Sequence, residues 1–257
     1  MAQALVGGLI QAGHRASRIR VADPSASRRK SLEQELGVRC FESNAETLGE
    51  ADAIVLAVKP QVMAAVLADL AAALAPETTV ISVAAGVTLD GLARGLGEKA
   101  PIVRAMPNTP ALYQAGISGL VANGCCDAES RALAEWILGA AGEIVWIEKE
   151  SQMDAVTAIS GSGPAYYFAF TEHLAEAGIR AGLAPEIAAR LARQTAIGAG
   201  QMLSESSLDP GELRRRVTSP GGTTEAALRH FAAAKLASMI EQAVDAAVKR
   251  GQDLGAS

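Results

Sequence analysis

The sequence predicts a doubly wound, mostly parallel α/β half followed by an all-α half. Three observations predict it. Short Val- and Ile-rich runs alternate with helix-forming stretches over the first 150 residues, and several of these runs are apolar at every position. After Ser151 only long Ala/Leu-rich segments with helical periodicity follow. Strand–helix alternation is the pattern of a parallel sheet. A run without polar alternation suits a strand covered by helices on both faces.

In chain order, the opening stretch MAQALVGGLIQAGHRASR reads as a buried helix. It has no basic leader region and is too short for a membrane span. Strands are expected at 19–23, 38–41, 53–59, 79–84, 101–106, 117–122 and 143–148, all of strand length. Helices are expected between them at 25–36, 61–74, 88–97 and 127–141. Beyond Ser151 the helical stretches are 151–182, 185–206 and 223–252, punctuated at Gly161-Ser162-Gly163-Pro164, Gly182, Pro185 and Pro210-Gly211. In the second of these, Ile187, Ala188, Leu191, Ala192, Ala196, Ile197 and Met202 spread around much of the circumference. A monomer would struggle to cover such a surface, so the layer is expected to lie against a second copy of itself. The expected domains are 1–150 and 151–257.

Composition narrows the function. Hydrophobic residues make up 49% and charged residues 20%, which excludes a disordered chain. A formal net charge of −5 offers no electrostatic reason to expect a nucleic acid or an anionic membrane as partner. Cys40, Cys125 and Cys126 make neither a disulfide framework nor a zinc pattern, so a reducing cytoplasm is the expected compartment. His14, His173 and His230 lie far apart, and no metal site is expected.

In a doubly wound sheet, ligands bind at the carboxyl ends of the strands. The first strand ends at Asp23-Pro24-Ser25, where a Rossmann-type domain meets an adenosine ribose. Asp23 favours a free 2′-hydroxyl, whereas Ser25, Ser27, Arg28 and Arg29 favour a 2′-phosphate. The alternative is that the two arginines are a solvated helix face. The strand at 53–58 ends in AVKP, placing Lys59 beside a phosphate or carboxylate. SVAAG, residues 82–86, ends the next with side chains small enough for a flat ring to approach. MPNTP, residues 106–110, is a stiff turn carrying Asn108 and Thr109. None of these loops holds a nucleophile–base pair. Hydride transfer fits, because a nicotinamide cofactor then carries the chemistry.

The stretch RRRVTSPGGTTEAALRHF, residues 214–231, interrupts the helical half with hydroxyls and glycines. The start of a helix presents unpaired N–H groups, a place for a carboxylate. Ser219, Thr223 and Thr224 add neutral donors. The alternative is a plain threonine-capped helix after a connector.

ELRRRVTSPGGTTEAAL resembles the signature of the pyrroline-5-carboxylate reductases, which catalyse the last step of proline synthesis. AVKP, AAGV, MPNTPA and DAVTAISGSGPAYYF resemble further motifs of that family, in the same order. The resemblance spans essentially the whole chain. It implies a Rossmann domain, a helical dimerisation domain, NADPH or NADH as cofactor, and homodimers or pentamers of dimers. Carried over position by position, Asp23, Ser25, Asn44, Val58, Lys59, Ala85 and Asn108 contact the cofactor. Val217, Ser219, Gly222, Thr223 and Thr224 form the substrate cradle, with Thr224 at the reacting centre. The family opens with a strand and a G-x-G-x-M-A turn, and Met1-Ala2 resemble its last two residues. We therefore expect a strand and a glycine turn to precede Met1, and the 257-residue form to bind cofactor weakly without them. The rivals are another Rossmann imine or keto-acid reductase with a helical second domain, and a non-catalytic truncated paralogue. A hydroxyacid dehydrogenase would need a lysine in its helical domain, and none lies between Ser151 and Gly211.

Overall fold

The computed structural model describes residues 1–49 and 51–255. Its elements run α1 (Ala2–Gln11), β1 (Arg20–Ala22), α2 (Ala26–Leu36), β2 (Arg39–Phe41), α3 (Ala45–Leu48), β3 (Ala53–Leu56), α4 (Met63–Ala71), β4 (Thr79–Ser82), α5 (Leu89–Leu96), β5 (Ile102–Met106), β6 (Gly116–Ala122), α6 (Ala128–Gly139), β7 (Gly142–Trp146), α7 (Met153–Val156), α8 (Gly163–Arg180), α9 (Pro185–Glu205), α10 (Pro210–Arg216), α11 (Thr223–Ala233) and α12 (Leu236–Gly255). All seven expected strands form, within a few residues of their expected ends. The chain divides into two compact units, Met1–Ser162 with the stretch from Ala247 onward, and Gly163–Ala246.

The first unit is Rossmann-like. β1 and β2 pair in parallel, and the remaining strands make a sheet in the order β3-β4-β5-β6-β7. In that sheet β3, β4 and β5 are parallel, β6 runs antiparallel to β5, and β7 follows β6 in parallel. Successive side chains of a strand point to opposite faces, and here both faces are dry. Ile81 and Val103 join Leu5 and Leu9 of α1 and Ile137 and Leu138 of α6. Their neighbours Val80 and Ile102 join Leu67 of α4 and Leu92 of α5 on the other face. Burying each such side chain contributes about 1.5–3 kcal/mol, which is why the strand runs show no polar alternation. Gly8 lies inside α1, as read, where a Cβ would collide with the carbonyl of Ala140. It permits close packing of that helix.

The helical half departs from expectation in three places. The stretch 151–182 is broken by a π turn, Thr157–Gly161, before α8. Pro164 has no N–H for the carbonyl of Ser160 four residues back, and the hydroxyls of Thr157 and Ser160 bond back to the carbonyls of Met153 and Val156. The stretch 223–252 is two helices, divided at Lys235, whose φ is 56°. The segment around Pro210 is not a mere break. It is the helix α10, capped by Asp209 with Pro210 at its first turn, because proline fits where an N–H has no partner anyway.

Within Gly163–Ala246 the only buried residues are Gly163, Ala188 and Ala192. Tyr167, Phe168, Leu191, Ile197 and Met239 all lie open. A helical layer in this state has no core of its own. Among the described residues no helix is long and apolar enough to cross a membrane, and no cluster of three metal-ligating side chains occurs.

The adjacent cysteines are chemically unlike. Cys125 is exposed, whereas Cys126 donates to the carbonyl of Ile102 at 3.3 Å and burial pushes its thiol up to about 11. The thiolate is the nucleophile, so an alkylating reagent at about pH 8 is expected to label Cys125 and spare Cys126. Peptide mass mapping showing equal labelling would contradict this.

Candidate active site

β1 ends in a tightly organised turn. The Asp23 carboxylate accepts the backbone N–H of Ser25 at 2.8 Å, Ser25 caps α2, and its hydroxyl meets that of Ser27 at 2.9 Å. The two arginines here have different work. The Arg29 side chain is only 20% exposed, and its guanidinium donates to the carbonyls of Asp23 at 2.8 Å and Pro24 at 3.1 Å. It braces the turn, so for Arg29 the solvated-face alternative fails. The Arg28 side chain is 77% exposed and 3.9 Å from Asp23, loosely held and available to an anion. Hydroxyls and one exposed guanidinium as donors, with one carboxylate as acceptor, form a set that fits a ribose, with or without a 2′-phosphate.

The other expected cofactor positions also lie just past strand ends. Asn44 follows β2, its amide 3.4 Å from Asp69. β3 stops at Leu56, so Val58 and Lys59 lie in the connection beyond it, with Val58 against the core and Lys59 exposed. Ala85 is exposed in the turn after β4, followed by Gly86 at φ 77°. Asn108 is the exception in kind. It is 8% exposed, its amide donates to the carbonyl of Ser160 at 3.1 Å, and its oxygen accepts from the backbone of Ile117 at 3.0 Å. The side chain thus takes the carbonyl that Pro164 leaves without a helical donor. It supports the wall beside β5 and has both polar ends committed.

Sequence reasoning overlooked Arg104 and Glu150. Arg104 lies in the centre of β5 with its side chain 7% exposed, 2.7 Å from Glu150. The available signal was a single charge inside the otherwise apolar run PIVRAM. Arg104 lines a cavity of about 320 Å³ together with Gly86, Thr88, Asp154, Gly251 and Gln252.

In the helical unit, Ser219-Pro220-Gly221-Gly222 forms a turn closed by the Gly222 N–H on the Ser219 carbonyl at 3.0 Å. Gly221 carries the left-handed angle, φ 71°, while Gly222 is extended at φ −81°. Proline second and a left-handed glycine third are what a type II turn requires. Gly222 then caps α11 without a side chain, so the threonine-capped alternative is not what forms. The first N–H groups of a helix have no intrahelical acceptor, and here they belong to Thr223, Thr224 and Glu225. Glu225 reaches back to the Gly221 N–H at 2.6 Å, which holds the turn in place. Val217 stands exposed at the end of α10, and the Thr218 hydroxyl is spent on the Arg214 carbonyl at 2.6 Å. Ser219, Thr223 and Thr224 therefore surround an open helix start.

Known proteins match both halves. A family model described as "Pyrroline-5-carboxylate reductase dimerisation" matches residues 150–254, and one described as "NADP oxidoreductase coenzyme F420-dependent" matches residues 1–86. The pyrroline-5-carboxylate reductase of Pseudomonas aeruginosa is 48% identical over 99% of this chain and 93% of its own. Among solved structures, that of Coxiella burnetii superposes with a TM-score of 0.94 at 39% identity, covering 98% of this chain and 94% of its own. The NADP-bound pyrroline carboxylate reductase of Plasmodium falciparum gives a TM-score of 0.84 at 30% identity, covering 98% and 93%. A dimerisation model over the helical half, and relatives and solved structures of one kind that match nearly end to end, settle the family: this chain belongs to the pyrroline-5-carboxylate reductase family.

Proposed function

We infer that the chain carries out its family's reaction, reducing 1-pyrroline-5-carboxylate to L-proline as an NAD(P)H-dependent oxidoreductase. The observation that carries this reading is the start of α11 without a side-chain cap, with three backbone N–H groups and three hydroxyls. Such a start suits a carboxylate by its partial positive charge. Ser219, Gly222, Thr223 and Thr224 hold the substrate carboxylate, and Val217 supplies an apolar wall. When bound, the nicotinamide supplies a hydride to the C=N carbon. The residues of this chain orient, and their donors are neutral. A proton for the imine nitrogen comes from the Thr224 hydroxyl, from water, or is already present on the iminium. Oxidation of a nicotinamide cofactor is expected only when the cyclic imine is supplied, and its absence with both NADPH and NADH would refute the reading.

Asp23, Ser25 and Asn44 are assigned to the adenosine side of the cofactor, Lys59 to its phosphates, and Val58, Ala85 and Asn108 to the walls around it. NADPH is the proposed preference, resting on Arg28. Arg28→Ala is expected to raise KM for NADPH by about tenfold or more and leave that for NADH nearly unchanged, as loss of a charge-assisted bond predicts. Arg29→Ala is expected to raise both KM values together, because it holds backbone that either cofactor meets. Steady-state kinetics with each cofactor decides, and parallel changes in Arg28→Ala would remove the arginine from the 2′-phosphate.

The helical half matches a dimerisation model and lacks its own core, so the chain assembles with copies of itself. A dimer, further joined into a pentamer of dimers, is the proposed form. Sedimentation that finds only dimers would limit it to the first.

A further inference from the structure

We propose that the ion pair of Arg104 and Glu150 is the positioning device for the turn between β4 and α5; its functional consequence rests on the reading that Ala85 in this turn meets the nicotinamide. The turn, residues 83–88, is tied at its start by the Val83 N–H on the Leu56 carbonyl at 3.1 Å. Its middle is a turn with Ala85 exposed and Gly86 left-handed beside the backbone of Leu254. At its far end stands Leu89, the first residue of α5, whose N–H has no acceptor within the helix. The Thr88 hydroxyl is used on Gly91. The Leu89 N–H instead donates to Oε1 of Glu150 at 2.8 Å, across 61 positions of sequence. That same oxygen accepts from Nη1 of Arg104 at 2.7 Å.

One carboxylate oxygen therefore joins a buried strand cation to the end of the turn. Stability alone does not account for it. Burying two charges costs much of what their attraction returns, and an apolar pair of similar volume often serves as well. An apolar pair cannot accept the Leu89 N–H. Nor does the ion pair lie elsewhere by chance, since Arg104 borders the same cavity as Gly86 and Thr88. Arg104 orients Glu150, and Glu150 anchors the turn against which a flat ring would lie. Both act through the turn, Arg104 by orienting Glu150 and Glu150 by holding the Leu89 amide, and are thus positioning residues.

Hydrogen exchange and ligand binding, measured separately, test the proposal on the full protein. In Glu150→Ala, amide exchange in 84–89 is expected to accelerate by about tenfold or more while the strands keep their protection. Glu150→Gln, which retains an acceptor, should restore protection. Arg104→Met with Glu150→Met keeps an apolar fit should the alanine variant fold poorly, and is expected to lose the same protection. NADPH should bind Glu150→Ala about tenfold more weakly, with 2′-phospho-ADP-ribose, which lacks the nicotinamide, bound as in the parent. Unchanged exchange in Glu150→Ala would overturn the anchoring itself. Faster exchange with equal binding of both ligands would show a real anchor on a turn that does not meet the nicotinamide, which overturns the functional half.

Discussion

Replacing Thr224 with alanine is expected to lower kcat/KM for the cyclic imine by about ten- to a hundredfold. A hydrogen bond to a charged group contributes about 1.5–3 kcal/mol, and a transition-state loss of that size appears directly in kcat/KM. The argument is electrostatic. The carboxylate has to be held without a strong cation that would disturb the protonation of the imine. Two of the neighbouring cations are already paired. Of the three arginines ending α10, Arg215 and Arg216 are held by Glu212 at 2.7 and 3.0 Å, which in turn keeps the Glu212 carboxyl below its usual range. Glu225 is occupied by the Gly221 N–H. A loss in KM alone would make Thr224 a binding group, and a loss in kcat would make it a proton donor. Gly222→Val should be worse, beyond about a hundredfold, since even a Cβ there lies 3.0 Å from the Ser219 carbonyl oxygen. The branched side chain would displace the turn and obstruct the amides. Circular dichroism and light scattering should find both variants folded and assembled. Parent kinetics in both would reduce the stretch to a connector.

The double variant Ile187→Glu, Leu191→Glu is expected to abolish self-association and lower the melting temperature sharply. These side chains are 53% and 54% exposed in the single chain. Leu191 also lines an apolar groove of about 350 Å³ with Leu174, Leu183 and Ala188. Each aliphatic side chain buried by a second copy contributes about 1.5–3 kcal/mol, and a carboxylate buried without a partner costs several times the lost contact. Light scattering at micromolar concentration reads the result. A parent chain that is a stable, well-folded monomer would defeat the obligate assembly, and a double variant that still assembles would move the interface to another face.

Much of this was legible in the residues because local chemistry was strong enough to decide it. Val80, Ile81, Ile102 and Val103 are apolar in succession, and only a sheet covered on both faces buries all four. Pro220-Gly221 favours a type II turn, and the amide row of Thr223 and Thr224 follows from any helix that begins after it. What the sequence left open was decided by partners far along the chain. Arg28 and Arg29 are neighbours of one type, yet only the folded turn shows Arg29 reaching the carbonyls of Asp23 and Pro24 while Arg28 stays exposed, 3.9 Å from the Asp23 carboxylate. Asn108 also serves as a brace, because its amide donates to the Ser160 carbonyl 52 positions away, which Pro164 cannot reach as a donor. Arg104 and Glu150, 46 positions apart, share an oxygen with the first amide of α5. Composition and periodicity report what one residue needs, a dry face or a free φ. Which distant group meets that need is set by how the elements pack, and so the sequence by itself determined the fold and the open start of α11, whereas tertiary structure alone decided which side chains brace the turns around it and past the strands.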